Sequence, residues 1–312
     1  MTPPEPVVQK VDSAVQKALG GGPVLLGISG GLDSMVLLES AARSGGDLLV
    51  ATFDHGTGVF ASKAAELVAG RAADLGLPCV VGRAARKATR ENEWRQARLA
   101  FLREAAAREN RTIATAHNRD DQVETVFMRI LRNAGPRGMS GLYAGSEMLR
   151  PLLDFPRSDL RAYAEAEGIR FLEDPSNSVR SHMRNRIRHD VLPAMRQVYP
   201  SIDTELLEIA RKSADWREKM DAIVELLGAE RSKKGELRVQ RDRLRTYDAS
   251  SLRVIWPALA ARASVVMDRR GTHRAAEFTI NGMTGGSIQL SGGVEILMRR
   301  DHMLLRRWQL QK

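Results

Sequence analysis

The chain has 312 residues, 43% of them hydrophobic and 28% charged, with a formal net charge of +10 and a pI of about 10.1. That length suggests two domains with an adequate core, and the basic balance fits a polyanionic partner, because Lys and Arg gain affinity by displacing counterions from phosphates. A single cysteine, Cys79, excludes an internal disulfide and any Cys-rich zinc or iron–sulfur site, and no apolar stretch approaches the length of a membrane span.

Met1-Thr2-Pro3-Pro4-Glu5-Pro6 lacks an apolar signal-peptide core, so a cytoplasmic protein is expected. An apolar run over 23–29 reads as a first strand and 33–44 as a helix stopped by Gly45-Gly46. Between them lies Ser29-Gly30-Gly31-Leu32-Asp33-Ser34. The two glycines let the backbone turn sharply and approach a ligand. A Gly-rich turn that feeds a helix N-terminus favours an anion, above all a phosphate chain. No Gly-Lys-Ser/Thr follows, so this is not a Walker A loop, and it is not the dinucleotide fingerprint.

Residues 48–53 read as a second strand, 62–75 as a helix, 77–81 as a third strand, 91–109 as a long Ala/Arg/Glu helix, 112–116 as a fourth strand and 119–133 as a further helix. Strands alternating with helices imply a doubly wound parallel α/β sheet covered on both faces, with ligands at the carboxyl ends of the strands. Ser29, Asp54-His55 and His117-Asn118 all fall at such ends. Asp121 and Glu124, three apart, share a face of the helix after the fourth strand. Opposite a phosphate loop they can hold Mg²⁺ or an ammonium group; otherwise they are an acidic first turn that complements the helix dipole. Asp120 reads as a simple capping residue.

Residues 134–156 read as loop, Arg157–Glu167 as a helix, Phe171–Asn177 as loop and 180–197 as a basic helix broken near Pro193. Tyr199-Pro200 marks a boundary, which gives domains 1–200 and 201–312. In the second, 203–227 has helical spacing of apolar residues, and 231–274 holds 12 Lys/Arg against 4 Asp/Glu, +8 in all. The tail alternates glycine turns with short apolar runs, so a smaller, mostly helical domain with a short β-element is expected.

Ser29–Ser34 resembles the PP-loop of N-type ATP pyrophosphatases, which cleave ATP between the α- and β-phosphates and leave an adenylated substrate. His117–Thr125, Glu173-Asp174-Pro175-Ser176-Asn177 and Arg184-Asn185-Arg186-Ile187-Arg188, with the link Arg132–Leu142 and Arg150–Leu153, are similar to the tRNA(Ile)-lysidine synthetases. This resemblance spans roughly residues 22–200. It implies a ligase that joins free lysine to C2 of the wobble cytidine of an isoleucine tRNA with a CAU anticodon. ATP and Mg²⁺ are its implied cofactors, an adenylated cytidine its intermediate, and a homodimer is compatible with it.

On this resemblance Ser29, Gly30, Gly31, Leu32, Asp33 and Ser34 bind the phosphate end of ATP, with Asp54, His55 and His117 completing the nucleotide site. Asp33 can equally cap the following helix, and the two roles coexist. Asp33, Arg98, Asp121 and Glu124 are the expected catalytic residues, and Asp121 and Glu124 the metal ligands. Arg95, Asn177, Arg184 and Arg188 are the expected tRNA contacts. Glu91, Arg95 and Arg98 follow the family's Glu-Xaa3-Arg-Xaa2-Arg pattern, although Glu91–Arg95 also suits a surface ion pair. Two positions depart from the family: Thr57-Gly58-Val59 replaces a usual Leu-Arg-Pro, and Leu99 stands where tyrosine is common. Another PP-loop enzyme acting on RNA or a small molecule, and a non-catalytic RNA-binding protein on the same fold, are the alternatives.

Overall fold

A computed structural model of the chain describes residues 6–56, 58–84, 91–145, 147–175, 179–180, 182–232 and 235–308; the side chains of Glu91 and Asn92 lie outside that description, and so does the whole of Asn177. The residues group into two compact units, Met1–Met128 with Gly145–Leu207, and Arg129–Ala144 with Glu208–Lys312.

In the first unit, α1 (Val7–Leu19) buries Val11, Val15 and Leu19, one residue per turn. The strands β1 (Val24–Gly27), β2 (Leu48–Asp54), β3 (Cys79–Arg83) and β4 (Thr112–Thr115) alternate with α2 (Leu32–Ser44), α3 (Val59–Asp74), α4 (Glu91–Arg108) and α5 (Arg119–Leu131). After a short α6 (Pro136–Met139), which belongs to the second unit, the chain returns as β5 (Met148–Leu149). The five strands are parallel, in the order β3-β2-β1-β4-β5. Alternating side chains fill two cores. Val24, Leu26, Leu48 and Val50 face α1, α2 and the later helix α7 (Arg157–Ala166), while Leu25, Leu49, Ala51 and Ile113 face Leu102 and Ala106 of α4. Burial on both faces is what a parallel sheet requires.

The order of strands reverses between β1 and β4. In open α/β sheets ligands bind at such a reversal, outside the carboxyl ends of the strands, and this is where the Gly-Gly turn and the α5 N-terminus emerge. The basic segment expected over 180–197 comprises α8 (Met183–Arg186), a π-helical turn at Ile187–Val191 and α9 (Leu192–Val198). Pro193 sits at the start of α9. It has no N–H for the preceding turn and its ring crowds the carbonyl four residues back, so the backbone widens before it.

A long helix, α10 (Ile202–Leu226), leads into β6 (Glu230–Arg231), β7 (Leu237–Gln240), α11 (Arg241–Arg245), α12 (Ala249–Arg262), α13 (Arg269–Asn281), β8 (Ser287–Leu290), β9 (Val294–Met298) and β10 (His302–Arg307). The expected short β-element is a five-stranded antiparallel sheet, β6-β7-β10-β9-β8. Asp248 and Asp268 start α12 and α13 by accepting from Ser251 N at 2.7 Å and Gly271 N at 2.6 Å. Trp256 fills the core and donates its indole N–H to Thr279 Oγ1 at 2.8 Å. No helix among the described residues is long and apolar enough to cross a membrane.

Candidate active site

The turn after β1 is fixed by its own serines. Ser34 donates its hydroxyl to Gly31 O at 2.8 Å and accepts from Ser29 N at 3.2 Å. Its single proton is then used, so in the 3.1 Å contact between the two hydroxyls Ser29 is the donor. Gly30 has φ +83°, and a Cβ there would meet Ala64 O at 3.1 Å; its carbonyl accepts from Leu172 N at 2.9 Å. Gly31 has φ −82° and no side-chain cap closes α2. A Cβ on Gly31 would make only ordinary contacts, at 3.7 Å and beyond. Backbone geometry therefore demands glycine at 30; at 31 only a closely approaching ligand would. The first N–H groups of α2, at Leu32, Asp33 and Ser34, have no intrahelical acceptor and present an anion-binding N-terminus.

Asp33 projects from that first turn. Its Oδ1 is buried without a hydrogen bond, and Nε of Arg157 is 3.9 Å away. Burial pushes its carboxyl up to about 6; Arg157 and Arg188 pull it back, while the Asp121 carboxylate adds to the rise.

At the start of α5, Asp121 and Asn118 cap each other: Asp121 N donates to Asn118 Oδ1 at 2.9 Å, and Asn118 N to Asp121 Oδ2 at 3.2 Å. Asp120 caps a different helix, accepting from Arg157 N at the start of α7 at 2.8 Å. Asp121 and Glu124 do share a face, and Arg184 and Arg188 close over it. Arg184 donates to Glu124 Oε2 at 2.7 Å and to Asp121 Oδ1 at 3.0 Å. Arg188 reaches Glu124 Oε1 at 2.5 Å, Glu124 Oε2 at 3.0 Å and Asp121 Oδ1 at 3.1 Å. Glu124 is 2% exposed. The acid pair and two of the arginines read from sequence as tRNA contacts are thus one ion-pair cluster, with charges in balance.

Across the strand ends lies a cationic group. Burial, with Arg95 beside it, pushes the Arg98 guanidinium down, and its Nε is buried without a partner. Burial, then Arg98, pushes His55 down, and its Nδ1 is likewise unpartnered. His117, held by Thr115 Oγ1 at 2.9 Å, is pushed down to about 4, chiefly by burial, and is neutral at pH 7. Asp54 has a structural part to play: its carboxylate accepts from Gly56 N at 2.8 Å, Ser62 Oγ at 3.1 Å and Arg83 Nε at 3.3 Å, which fixes the turn carrying His55. Those donors, Gly56 N–H first, hold it below the usual carboxylate range. Arg95 is exposed on α4.

Sequence reasoning assigned no role to Arg157, Thr115 or Leu172. The Thr-Xaa-His spacing at a strand end could have pointed to Thr115. Arg157 and Leu172 come from distant segments and leave no local signal.

A parallel sheet with a Ser-Gly-Gly-Leu-Asp-Ser turn at its point of strand reversal defines a PP-loop protein, and the family model described as a PP-loop domain matches residues 4–195. The solved U34-tRNA thiolase NcsA from Methanococcus maripaludis shares the fold, with a TM-score of 0.55 at 15% identity over 67% of this chain and 79% of that one. The tRNA(Ile)-lysidine synthase of Geobacter sulfurreducens is 36% identical over 220 residues, 66% of this chain and 47% of that protein. That of Salinispora arenicola is 36% identical over 66% of this chain and 68% of its own length. The chain belongs to the tRNA(Ile)-lysidine synthase family of PP-loop proteins. It spans about half the length of several relatives that it matches, 45–49% for three of them.

Proposed function

We propose that the chain uses ATP to ligate free lysine to C2 of the wobble cytidine of an isoleucine tRNA with a CAU anticodon, through an adenylated cytidine. The observation that carries this reading is the set of buried, unpartnered polar atoms at one sheet edge: Asp33 Oδ1, His55 Nδ1 and Arg98 Nε. Buried polar groups are rarely left without partners. An acceptor beside a phosphate-binding turn and a cationic donor across from it suit a metal-associated nucleotide.

Cytidine C2 carries a carbonyl oxygen, a poor leaving group. Its adenylation releases pyrophosphate, after which the lysine side-chain amine attacks C2 and AMP departs. In this reading the N–H groups of Gly30 to Ser34 bind the phosphates, and Arg98 offsets charge developing on the transferred adenylyl group. His117 is neutral, so at Nε2 it can accept or donate a hydrogen bond, according to its tautomer, without adding charge to the site.

Mg²⁺ supplies charge neutralisation on the phosphates when bound. It commonly takes one or two carboxylates and completes its shell with phosphate and water. All four oxygens of Asp121 and Glu124 already accept hydrogen bonds, so the free Asp33 Oδ1 fits Mg²⁺ better than the acid pair does. A carboxylate oxygen has two lone pairs. Glu124 Oε1 and Asp121 Oδ2 therefore each keep an acceptor position, which suits a lysine ammonium without displacing either arginine. Arg184 and Arg188 reach RNA only by exchanging these hydrogen bonds for phosphate, whereas Arg95 is already exposed; Asn177 remains a tRNA contact in this reading.

The same reading keeps 1–200 as the catalytic domain and 201–312 as a basic tRNA-binding domain, in the cytoplasm; light scattering distinguishes a monomer from a homodimer. The decisive experiment is incorporation of labelled lysine into the tRNA transcript, with ATP omitted as control. Pyrophosphate release without lysine incorporation would favour another PP-loop enzyme.

A further inference from the structure

In the second unit, three arginines gather around one aspartate. Arg137 of α6 donates Nη2 to Asp221 of α10, 2.8 Å from Oδ1 and 3.1 Å from Oδ2. Arg217, one turn earlier on α10, has its Nε 3.9 Å from Oδ2 of the same carboxylate. Arg262, at the end of α12, donates Nη2 to the Asp221 carbonyl at 3.2 Å and to Glu225 Oε1 at 3.1 Å.

Glu225 answers Arg262, but one carboxylate cannot neutralise both Arg137 and Arg217. Two further observations show the excess. Nη1 of Arg137 is buried with no hydrogen-bond partner. The Arg217 guanidinium is pushed down by burial and then by the nearby Arg137. The segment that brings Arg137, residues 129–144, holds Arg129, Arg132 and Arg137 and no acidic residue. Beside it, the Arg211 guanidinium stacks 5.5 Å from the ring centre of Tyr143.

We propose that Arg137, Arg217 and Arg262 form a phosphate-binding site for an RNA backbone, with Asp221 holding the guanidinium forks in place until phosphate arrives. Guanidinium forks match the paired oxygens of a phosphodiester. The three side chains are 17%, 30% and 29% exposed, so the forks are fixed yet reachable by a polymer. The +8 carried by residues 231–274 of the same unit favours an extended polyanion over a lone phosphate ion. The inference rests on the reading of the chain as a tRNA-modifying enzyme and adds a contact outside the sheet-edge site.

The test is a fluorescence-anisotropy titration of the full chain with a labelled isoleucine tRNA transcript over a series of KCl concentrations. Arg217→Gln should weaken binding and reduce the slope of log K against log salt by roughly 0.7 to 0.9, one phosphate contact. Arg137→Gln should do the same. Asp221→Asn removes the competing carboxylate and should tighten binding. A purely structural cluster predicts instead that Asp221→Asn lowers thermal stability and leaves RNA affinity unchanged. ATP affinity, read by calorimetry, should be unaltered in all three. Arg217→Gln guards against misfolding, because it leaves the Arg137–Asp221 pair intact. An unchanged salt slope in folded Arg217→Gln, together with unchanged RNA affinity in Asp221→Asn, would overturn the site while the tRNA reading stands. Inorganic phosphate that binds the chain in calorimetry but does not displace the labelled RNA at any concentration would also overturn it. A parent chain that binds no RNA would overturn both.

Discussion

Removal of Arg188 tests whether the basic helix face holds the acid pair. Arg188 supplies three of the five hydrogen bonds from guanidinium to Asp121 and Glu124, and Glu124 is 2% exposed. Stripping a buried charge of its partner costs about 3–5 kcal/mol. Arg184 still reaches both carboxylates and Arg188 is 23% exposed, so Arg188→Met should cost roughly 2–3 kcal/mol. In a unit of this size that lowers the melting temperature by about 4–12 °C. Thermal unfolding followed by circular dichroism reads this directly, and the loss should change little with added salt, since a buried cluster is poorly screened. Glu124→Gln in the Arg188→Met background should recover part of the stability, because the orphaned charge is gone. A shift under about 2 °C, a fraction of the cost expected for a buried pair, together with a shallower salt dependence of tRNA binding, would refute the reasoning and make Arg188 an RNA contact instead.

Other outcomes follow from the same site. Asp121→Asn or Glu124→Gln should lower lysine ligation by at least about 10²-fold, the scale of a positioned electrostatic group, in protein that still gives a folded circular-dichroism spectrum; near-normal rates in both would return the pair to a helix-dipole role. Gly30→Ala should destabilise the fold by roughly 1–2 kcal/mol, the cost of a left-handed backbone for an L residue. Gly31→Ala should change melting little yet weaken ATP in calorimetry; equal ATP affinity in parent and Gly31→Ala would place the phosphates elsewhere. Asp33 and His117 titrate with opposite effects. The folded carboxyl of Asp33 lies above its ordinary 3.8, at about 6, so its contribution to stability is lost as pH rises through that interval. His117 lies below its ordinary 6.5, at about 4, so its contribution is lost as pH falls through that interval. Asp33→Asn should therefore make stability climb more steeply with pH between about 4 and 6 than in the parent, as urea unfolding across that range would show; parallel curves would mean that the Asp33 carboxyl is not shifted.

The sequence alone determined the parallel sheet, because apolar runs of strand length alternate with helices, and local hydrophobic periodicity fixes each element without reference to distant residues. It also placed the phosphate turn, since Gly-Gly between two apolar runs carries its own backbone meaning, and it put Asp121 and Glu124 on one face through helical spacing. Where an element was read, its ends moved by a few residues: the first strand read over 23–29 is β1 at Val24–Gly27, and the third strand read over 77–81 is Cys79–Arg83; α1 was not read, and α6 and β5 lie in the segment 134–156 read as loop. The second unit was legible only in outline. β6 is two residues long and acquires its identity by pairing with β7, which no local pattern announces. What the tertiary structure decided is who meets whom. Arg184 and Arg188 lie 60 to 67 residues from the carboxylates they bind, and a charge pattern along one helix cannot say whether its partner is solvent, RNA or another helix. The Asp33 carboxyl, too, is shifted by burial and by Arg157, a residue more than a hundred positions along the chain. Such partnerships are set by which surfaces the fold brings into contact, and a polar group's partner and pKa depend on that desolvated neighbourhood, whereas an element's periodicity depends only on its own residues.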